Sequence, residues 1–199
     1  MTPIYVVQQS NSMKYDEQHD SLDVRWSEFL FRSGFVPILL PNNMVIVQTI
    51  LASNMAKCAL FTGGSLHLQK QPDVRSQVEC AVMQWSLLND YSLIGCCRGM
   101  QAMLQYKGGK LLPCSNQIHE RQTITFRGKA LEVNSYHQYV CEVPIDDFDV
   151  IGTSSEQLVK AILGKQIKWL GIMWHPERMQ VFQNHDINLF KQFLSKGIL

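Results

Sequence analysis

The sequence predicts an α/β fold: a doubly wound, mostly parallel central sheet flanked by helices. Three observations carry that prediction. Short apolar runs alternate with segments of helical period through the first half of the chain, as right-handed strand–helix–strand crossovers require. The 199 residues are 46% hydrophobic and 18% charged, the balance of an ordinary globular protein. A chain of that size can bury roughly 70% of its unfolded surface in one core without a disulfide or metal. No repeat, low-complexity stretch or linker interrupts it, so residues 1–199 are expected to form a single domain.

Ile4 to Val7 is a compact β-type run. Ser21 can cap a helix with Leu22, Trp26, Phe29 and Leu30 at helical spacing, stopped by Gly34. Val36 to Leu40 reads as the next strand, closed by Pro41-Asn42-Asn43. Cys58 to Phe61 is a strand that runs into the turn Thr62-Gly63-Gly64. From Pro72 a longer helix is expected, with Val78, Ala81, Val82, Trp85 and Leu88 as its apolar stripe and Asn89-Asp90 as its end. Tyr91 to Gly95 is a short strand, and Met100, Met103 and Leu104 mark the helix after it. Beyond Gly108 the pattern changes to short β-like pieces: Gln122–Phe126, Ala130–Val133, Phe148–Thr153, Leu158–Leu163 and Trp169–Met173. Ile187, Phe190, Phe193 and Leu194 give a last amphipathic helix.

Eighteen basic residues against seventeen acidic leave a net charge of +1, which argues against holding nucleic acid or an anionic membrane by the overall field. The six cysteines form no C-x-x-C pair and no Cys/His ladder with zinc spacing. No leader pattern opens the sequence and no apolar run is long enough to cross a bilayer. A reduced, cytoplasmic location is therefore expected, with any reactive cysteine present as a thiol.

In α/β sheets the chemistry collects at the carboxyl ends of strands. Three segments have that position: Gly63-Gly64, Cys96-Cys97-Arg98 and His175-Pro176-Glu177. In Gly95-Cys96-Cys97-Arg98-Gly99-Met100-Gln101 a reactive residue sits between strand and helix, with glycines two positions to either side. That is the arrangement of a nucleophile elbow. The N-terminus of the following helix favours thiolate over thiol. Cys97 falls at the apex and Cys96 in the wall behind it. Taken alone, the pair could equally be packed as small hydrophobes. His175-Pro176-Glu177 sets a carboxylate beside a histidine, which suits a base oriented by an acceptor; taken alone it fits a solvated loop. Gly63-Gly64 could offer bare amides to an anion or could simply be a turn. The polar stretch Asn11 to Asp20 could be a lid or a solvated loop.

Together and in this order, the pieces resemble the class I glutamine amidotransferase family, specifically its free-standing γ-glutamyl hydrolase-like members, over essentially the whole chain. The family's G-x-C-x-G-x-Q is matched by Gly95, Cys97, Gly99 and Gln101. Its His-Pro-Glu is matched by His175 to Glu177, and its upstream glycine pair by Gly63-Gly64. Its Asn-Ser-x-His segment is matched by Asn134-Ser135-Tyr136-His137-Gln138. Two positions depart from the pattern: Cys96 stands where an aliphatic residue is usual, and Thr62 where proline is frequent.

The resemblance implies a flavodoxin-like fold and a cysteine-dependent hydrolase that needs no cofactor or metal. It implies Cys97 as nucleophile, His175 as base and acid, and Glu177 as the residue that orients the histidine. The N–H groups of Gly64 and Arg98 would form the oxyanion hole. Gly63, Gln101 and the backbone around Ser135, Tyr136 and His137 would hold the glutamyl group. The implied partner is a small γ-glutamyl amide, with no nucleic acid and no membrane. Some members release cytidine diphosphoramidate, and for such an anion Arg98, Arg121 and Arg178 are the candidate contacts. The alternatives are a glutaminase subunit that supplies ammonia to a separate synthase, a hydrolase for γ-glutamyl derivatives of simple amines, and a non-catalytic binding protein.

Overall fold

A computed structural model describes residues 1–64, 73–141 and 146–199. In chain order its elements are β1 (Thr2–Val7), β2 (Gln9–Ser12), β3 (Gln18–Ser21), α1 (Val24–Arg32), β4 (Phe35–Leu40), α2 (Met44–Ala52), β5 (Cys58–Phe61), α3 (Val74–Asn89), β6 (Ser92–Cys96) and α4 (Arg98–Tyr106). There follow β7 (Leu111–Pro113), β8 (Ile118–Phe126), β9 (Lys129–Tyr136), β10 (Tyr139–Cys141), β11 (Phe148–Ser154), β12 (Val159–Gly164), β13 (Trp169–Ile172), a 3-10 turn at Pro176–Arg178, and α5 (Asn184–Lys196).

Among the described residues the main sheet has nine strands in the order β4-β1-β5-β6-β13-β12-β11-β8-β9. The first five run parallel, and the other four extend the sheet antiparallel. Successive residues of the parallel strands pack on opposite faces, as the two-residue period of a strand demands. Tyr5, Val7, Ala59, Phe61 and Leu93 join Val47, Val82, Met100 and Met103 of α2, α3 and α4. Ile4, Val6, Leu60, Ile94 and Cys96 join Trp26, Phe29, Phe190 and Phe193 of α1 and α5. The sheet is thus covered on both faces.

Several local expectations are corrected. The cap of α1 is Asp23, whose carboxylate accepts from Arg25 N–H at 2.9 Å; Ser21 belongs to β3. The apolar segment Met44–Ala52 forms α2, which the strand–turn reading passed over, and Asn43 caps it. Pro72 lies outside the described residues. Helix α3 starts at Val74 behind the cap Asp73. Its buried stripe runs through Arg75, Glu79, Val82, Met83 and Ser86. Leu88, two residues past Ser86, therefore points outward and is 86% exposed. The polar stretch after β1 is a hairpin, β2–β3, fastened where the Asp20 carboxylate accepts from Asn42 N–H at 2.8 Å and Asn42 Nδ2 at 2.6 Å.

Candidate functional site

β13 inserts beside β6 with Ile172 opposite Cys96, so the residues that follow these two strands emerge side by side. Cys97 comes directly after β6 with φ +50° and ψ −105°, a conformation that costs a non-glycine residue on the order of 1–3 kcal/mol. Its N–H donates to Ile172 O at 2.7 Å, and its carbonyl accepts from Gln101 N–H at 3.1 Å to close the first turn of α4. The flanking glycines are sterically required. A β-carbon on Gly95 would lie 2.5 Å from the Gly99 carbonyl carbon, and one on Gly99 would lie 2.6 Å from Phe61 Cβ. Cys96 faces the α1/α5 core, and burial pushes its thiol well above the ordinary range.

His175 and Glu177 are both buried, and the imidazole Nδ1 lies 2.7 Å from Glu177 Oε1. That contact leaves Nε2 available to the Cys97 side chain, which lines the same cavity. Burial opposes the charged imidazolium, but hydrogen bonds and charge from Cys97 and Glu177 more than offset it and raise His175 from 6.5 to about 9. Asn134 grips the histidine backbone on both sides. Arg25 of α1 donates to the carbonyl of Glu177 at 2.6 Å, which secures the 3-10 turn. The imidazole packs so closely on Gly63 that a β-carbon there would stand 2.3 Å from its Cε1.

A cavity of about 500 Å³ opens over Cys97 and His175, lined also by Gln9, Gly64, Gln101, Tyr136, His137 and Arg178. Gly64 has φ +136°. The turn before it is held from behind by Arg75, which donates to Thr62 O at 2.6 Å and Gly63 O at 3.0 Å. Gln101 Nε2 donates to Tyr139 O at 2.9 Å, tying α4 to the segment after β9. The Arg178 guanidinium sits 5.2 Å from the Tyr136 ring centroid. Ser135 is buried away from the cavity, its hydroxyl donating to Gln117 O at 2.8 Å.

A second cysteine–histidine contact borders the cavity: Cys114 Sγ lies 3.6 Å from His137 Nδ1. Its electrostatics differ from the first. Burial raises the Cys114 thiol. Burial and the neighbouring Lys160 charge lower His137 to about 4, so this imidazole is neutral.

Two of the arginines proposed for a leaving group are not placed for it. The Arg98 side chain is buried in ion pairs with Asp73 at 3.2 Å and Glu79 at 3.4 Å, because the buried Glu79 on α3 needs a cation. Arg121 stands on the exposed side of β8, where its side chain is 76% exposed and 3.6 Å from Glu132. Only Arg178 reaches the cavity. Sequence reasoning missed Gln9, Arg25, Arg75 and Lys160. For Lys160 a signal existed, a lone lysine inside the apolar run Leu158–Leu163.

Among the described residues no helix is long and apolar enough to cross a membrane. A family model described as glutamine amidotransferase class-I matches residues 34–196. The chain is 25% identical to a γ-glutamyl-CDP-amidate hydrolase of Campylobacter jejuni over 91% of each protein. It is 27% identical to anthranilate synthase component 2 of Corynebacterium glutamicum, over 81% of this chain and 86% of that protein. A glutamine amidotransferase structure from Thermotoga maritima shares the fold, with a TM-score of 0.68 at 12% identity over 98% of this chain and 84% of that one.

Proposed function

Because the chain belongs to the glutamine amidotransferase class-I family, we propose that it hydrolyses a γ-glutamyl amide through a thioester on Cys97. The observation that carries this reading is the left-handed elbow at Cys97 sharing one cavity wall with an imidazole that Glu177 orients. Cys114 is the poorer nucleophile. It lies off any helix N-terminus and faces a neutral imidazole, which cannot stabilise a thiolate.

In the proposed reaction the Cys97 thiolate attacks the γ-carbonyl carbon, and the carbonyl electrons move onto oxygen. The N–H groups of Gly64 and Arg98, the latter opening α4, hold that oxyanion; loss of one such donor typically costs about 100- to 1000-fold in rate. His175, protonated at neutral pH, gives its Nε2 proton to the departing nitrogen as the C–N bond breaks. It then takes a proton from water, which attacks the thioester and releases glutamate and the thiolate. Gln101 and the Ser135–His137 backbone hold the glutamyl end. Arg178 stands by His175, on the side of the departing nitrogen.

The finer reading is that the leaving group is cytidine diphosphoramidate. Likeness to the Campylobacter jejuni hydrolase over most of both chains supports it, as does a guanidinium at the cavity, whose planar fork suits phosphate. Likeness to an anthranilate synthase component supports the second reading, a glutaminase that feeds a separate synthase. Incubation with γ-glutamyl-CDP-amidate, γ-glutamyl-aminobutyrate and glutamine, followed by mass spectrometry, separates these readings. The expected result is a γ-glutamyl group trapped on the Cys97 peptide and fastest release from the nucleotide substrate. Equal turnover by Cys97→Ser would overturn the mechanism. Glutamine turnover that rises only with a partner synthase would favour the second reading.

A further inference from the structure

Lys160 is a buried cation that the reaction above does not use. It lies on β12 between Val159 and Ala161 and is 1% exposed. Its ammonium donates to Gln117 Oε1 at 2.8 Å, Ser135 Oγ at 3.1 Å and His137 Nε2 at 2.7 Å. All three acceptors are neutral. The other deeply buried cations are ion-paired, Arg75 with Glu79 and Arg98 with Asp73 and Glu79. Among the described residues Lys160 has no carboxylate at ion-pair distance. The Glu156 carboxylate acts on it from further away and accepts instead from Gln117 Nε2 at 2.8 Å. Burying an ammonium without a counter-ion costs several kcal/mol, and linking β8, β9 and β12 by hydrogen bonds does not require a charge.

The charge lies behind a wall of the cavity. His137 lines that cavity with Cys97 and Gln101. Because Lys160 donates to its Nε2, the proton of the neutral ring is on Nδ1 and is donated to Tyr139 O at 3.1 Å. Tyr139 O also accepts from Gln101, so Lys160 backs the part of the site that receives the glutamyl end, whereas Arg178 stands by His175.

We propose that Lys160 is a specificity-determining residue whose buried charge is the counter-ion for the α-carboxylate of the γ-glutamyl group. This assignment rests on the γ-glutamyl hydrolase reading. Substrates whose α-carboxylate is neutralised should lose the attraction. Four titratable groups face the ammonium: His137 at the end of β9, Cys114 before β8, Glu156 before β12 and Cys97 at the elbow. Burial dominates and lowers Lys160 to about 8, against Cys114, Glu156 and Cys97, which raise it. The charge is therefore present at neutral pH and is lost as pH rises through about 8.

The test uses 6-diazo-5-oxo-L-norleucine, a glutamine-shaped diazoketone that alkylates a cysteine nucleophile, and its α-methyl ester. Wild-type protein should be labelled at Cys97 about 10-fold faster by the free acid, the order of a charge–charge attraction acting through the His137 ring at the effective dielectric of a protein. Lys160→Met should bring the two rates together, while iodoacetamide, which has no carboxylate, labels both proteins alike. In the wild type alone, the acid-over-ester preference should collapse as pH rises through about 8, which needs no folded variant. An unchanged preference in Lys160→Met, a preference flat across that pH range, or an equal loss of iodoacetamide labelling overturns the assignment. Labelling of Cys97 by both diazoketones with no preference overturns the Lys160 role alone. No labelling of Cys97 by either overturns the hydrolase reading and the Lys160 role with it.

Discussion

Asn134 and His175 are joined through a side chain and a backbone. Asn134 Nδ2 donates to the His175 carbonyl and Asn134 Oδ1 accepts from the His175 N–H, both at 2.7 Å. All four groups are buried, so a β9 side chain does for His175 what a neighbouring strand would do. The histidine has left β13 and has no ladder of its own there.

Asn134→Leu should therefore leave two buried backbone groups unsatisfied and lower stability by about 2–5 kcal/mol. Urea unfolding measures the loss. At a urea concentration where the variant remains folded, hydrolysis should also fall while the pH midpoint for His175 shifts. An unaltered midpoint would reduce Asn134 to a packing role.

Stability should fall from pH 6.5 toward pH 4 and from pH 6.5 toward pH 8, and above about 8 the deprotonation of Lys160, lowered from 10.5, works against the alkaline fall. His175 is raised to about 9 in the folded protein. Its contribution is complete below its ordinary value of 6.5 and is lost as pH rises through about 9. His137 is lowered to about 4. Its contribution is complete above 6.5 and is lost as pH falls through about 4. Each limb is worth on the order of 3 kcal/mol by proton linkage. His175→Gln should flatten the alkaline limb and His137→Gln the acid one, as read by urea midpoints across the range.

Gly63→Ala should inactivate the enzyme without unfolding it. The added methyl would overlap His175 Cε1 at 2.3 Å, and the ring is easier to displace than the backbone. A displacement of about 1 Å at a reacting group can cost about 100-fold in rate. Activity that is retained would show that the ring moves without consequence.

Arg75→Met should destabilise the fold by about 2–3 kcal/mol, less than the roughly 3–5 kcal/mol of a buried ion pair left with one uncompensated charge, because Arg98 at 3.4 Å still neutralises Glu79. Both side chains of the pair with Glu79 are 2% exposed. Because Arg75 also holds the carbonyls of Thr62 and Gly63, the amide of Gly64 should lose its aim. Turnover should then drop more than binding, read as kcat against KM.

The elbow was legible in the sequence because its constraint is local. Gly95, Cys97 and Gly99 sit within one turn, and the collisions that demand glycine there involve the turn and the strand beside it. His175 and Glu177 are likewise close in sequence, so their pairing needs only the short bend that Pro176 begins. Helix α2 was not legible. Met44–Ala52 is apolar nearly throughout, so it carries no stripe of period 3.6 to distinguish a helix from a buried strand.

What the sequence determined by itself was the set of candidate reactive groups and the strained turns that present them, since bonded neighbours dictate both. What only the tertiary structure decided was which distant groups share low-dielectric space. The insertion of β13 beside β6 brings Cys97 to His175. The packing of α3 on α4 ties up Arg98, while β12 buries Lys160 behind His137. Residue type states that a charge exists, but its partner and its solvation depend on strand order and register.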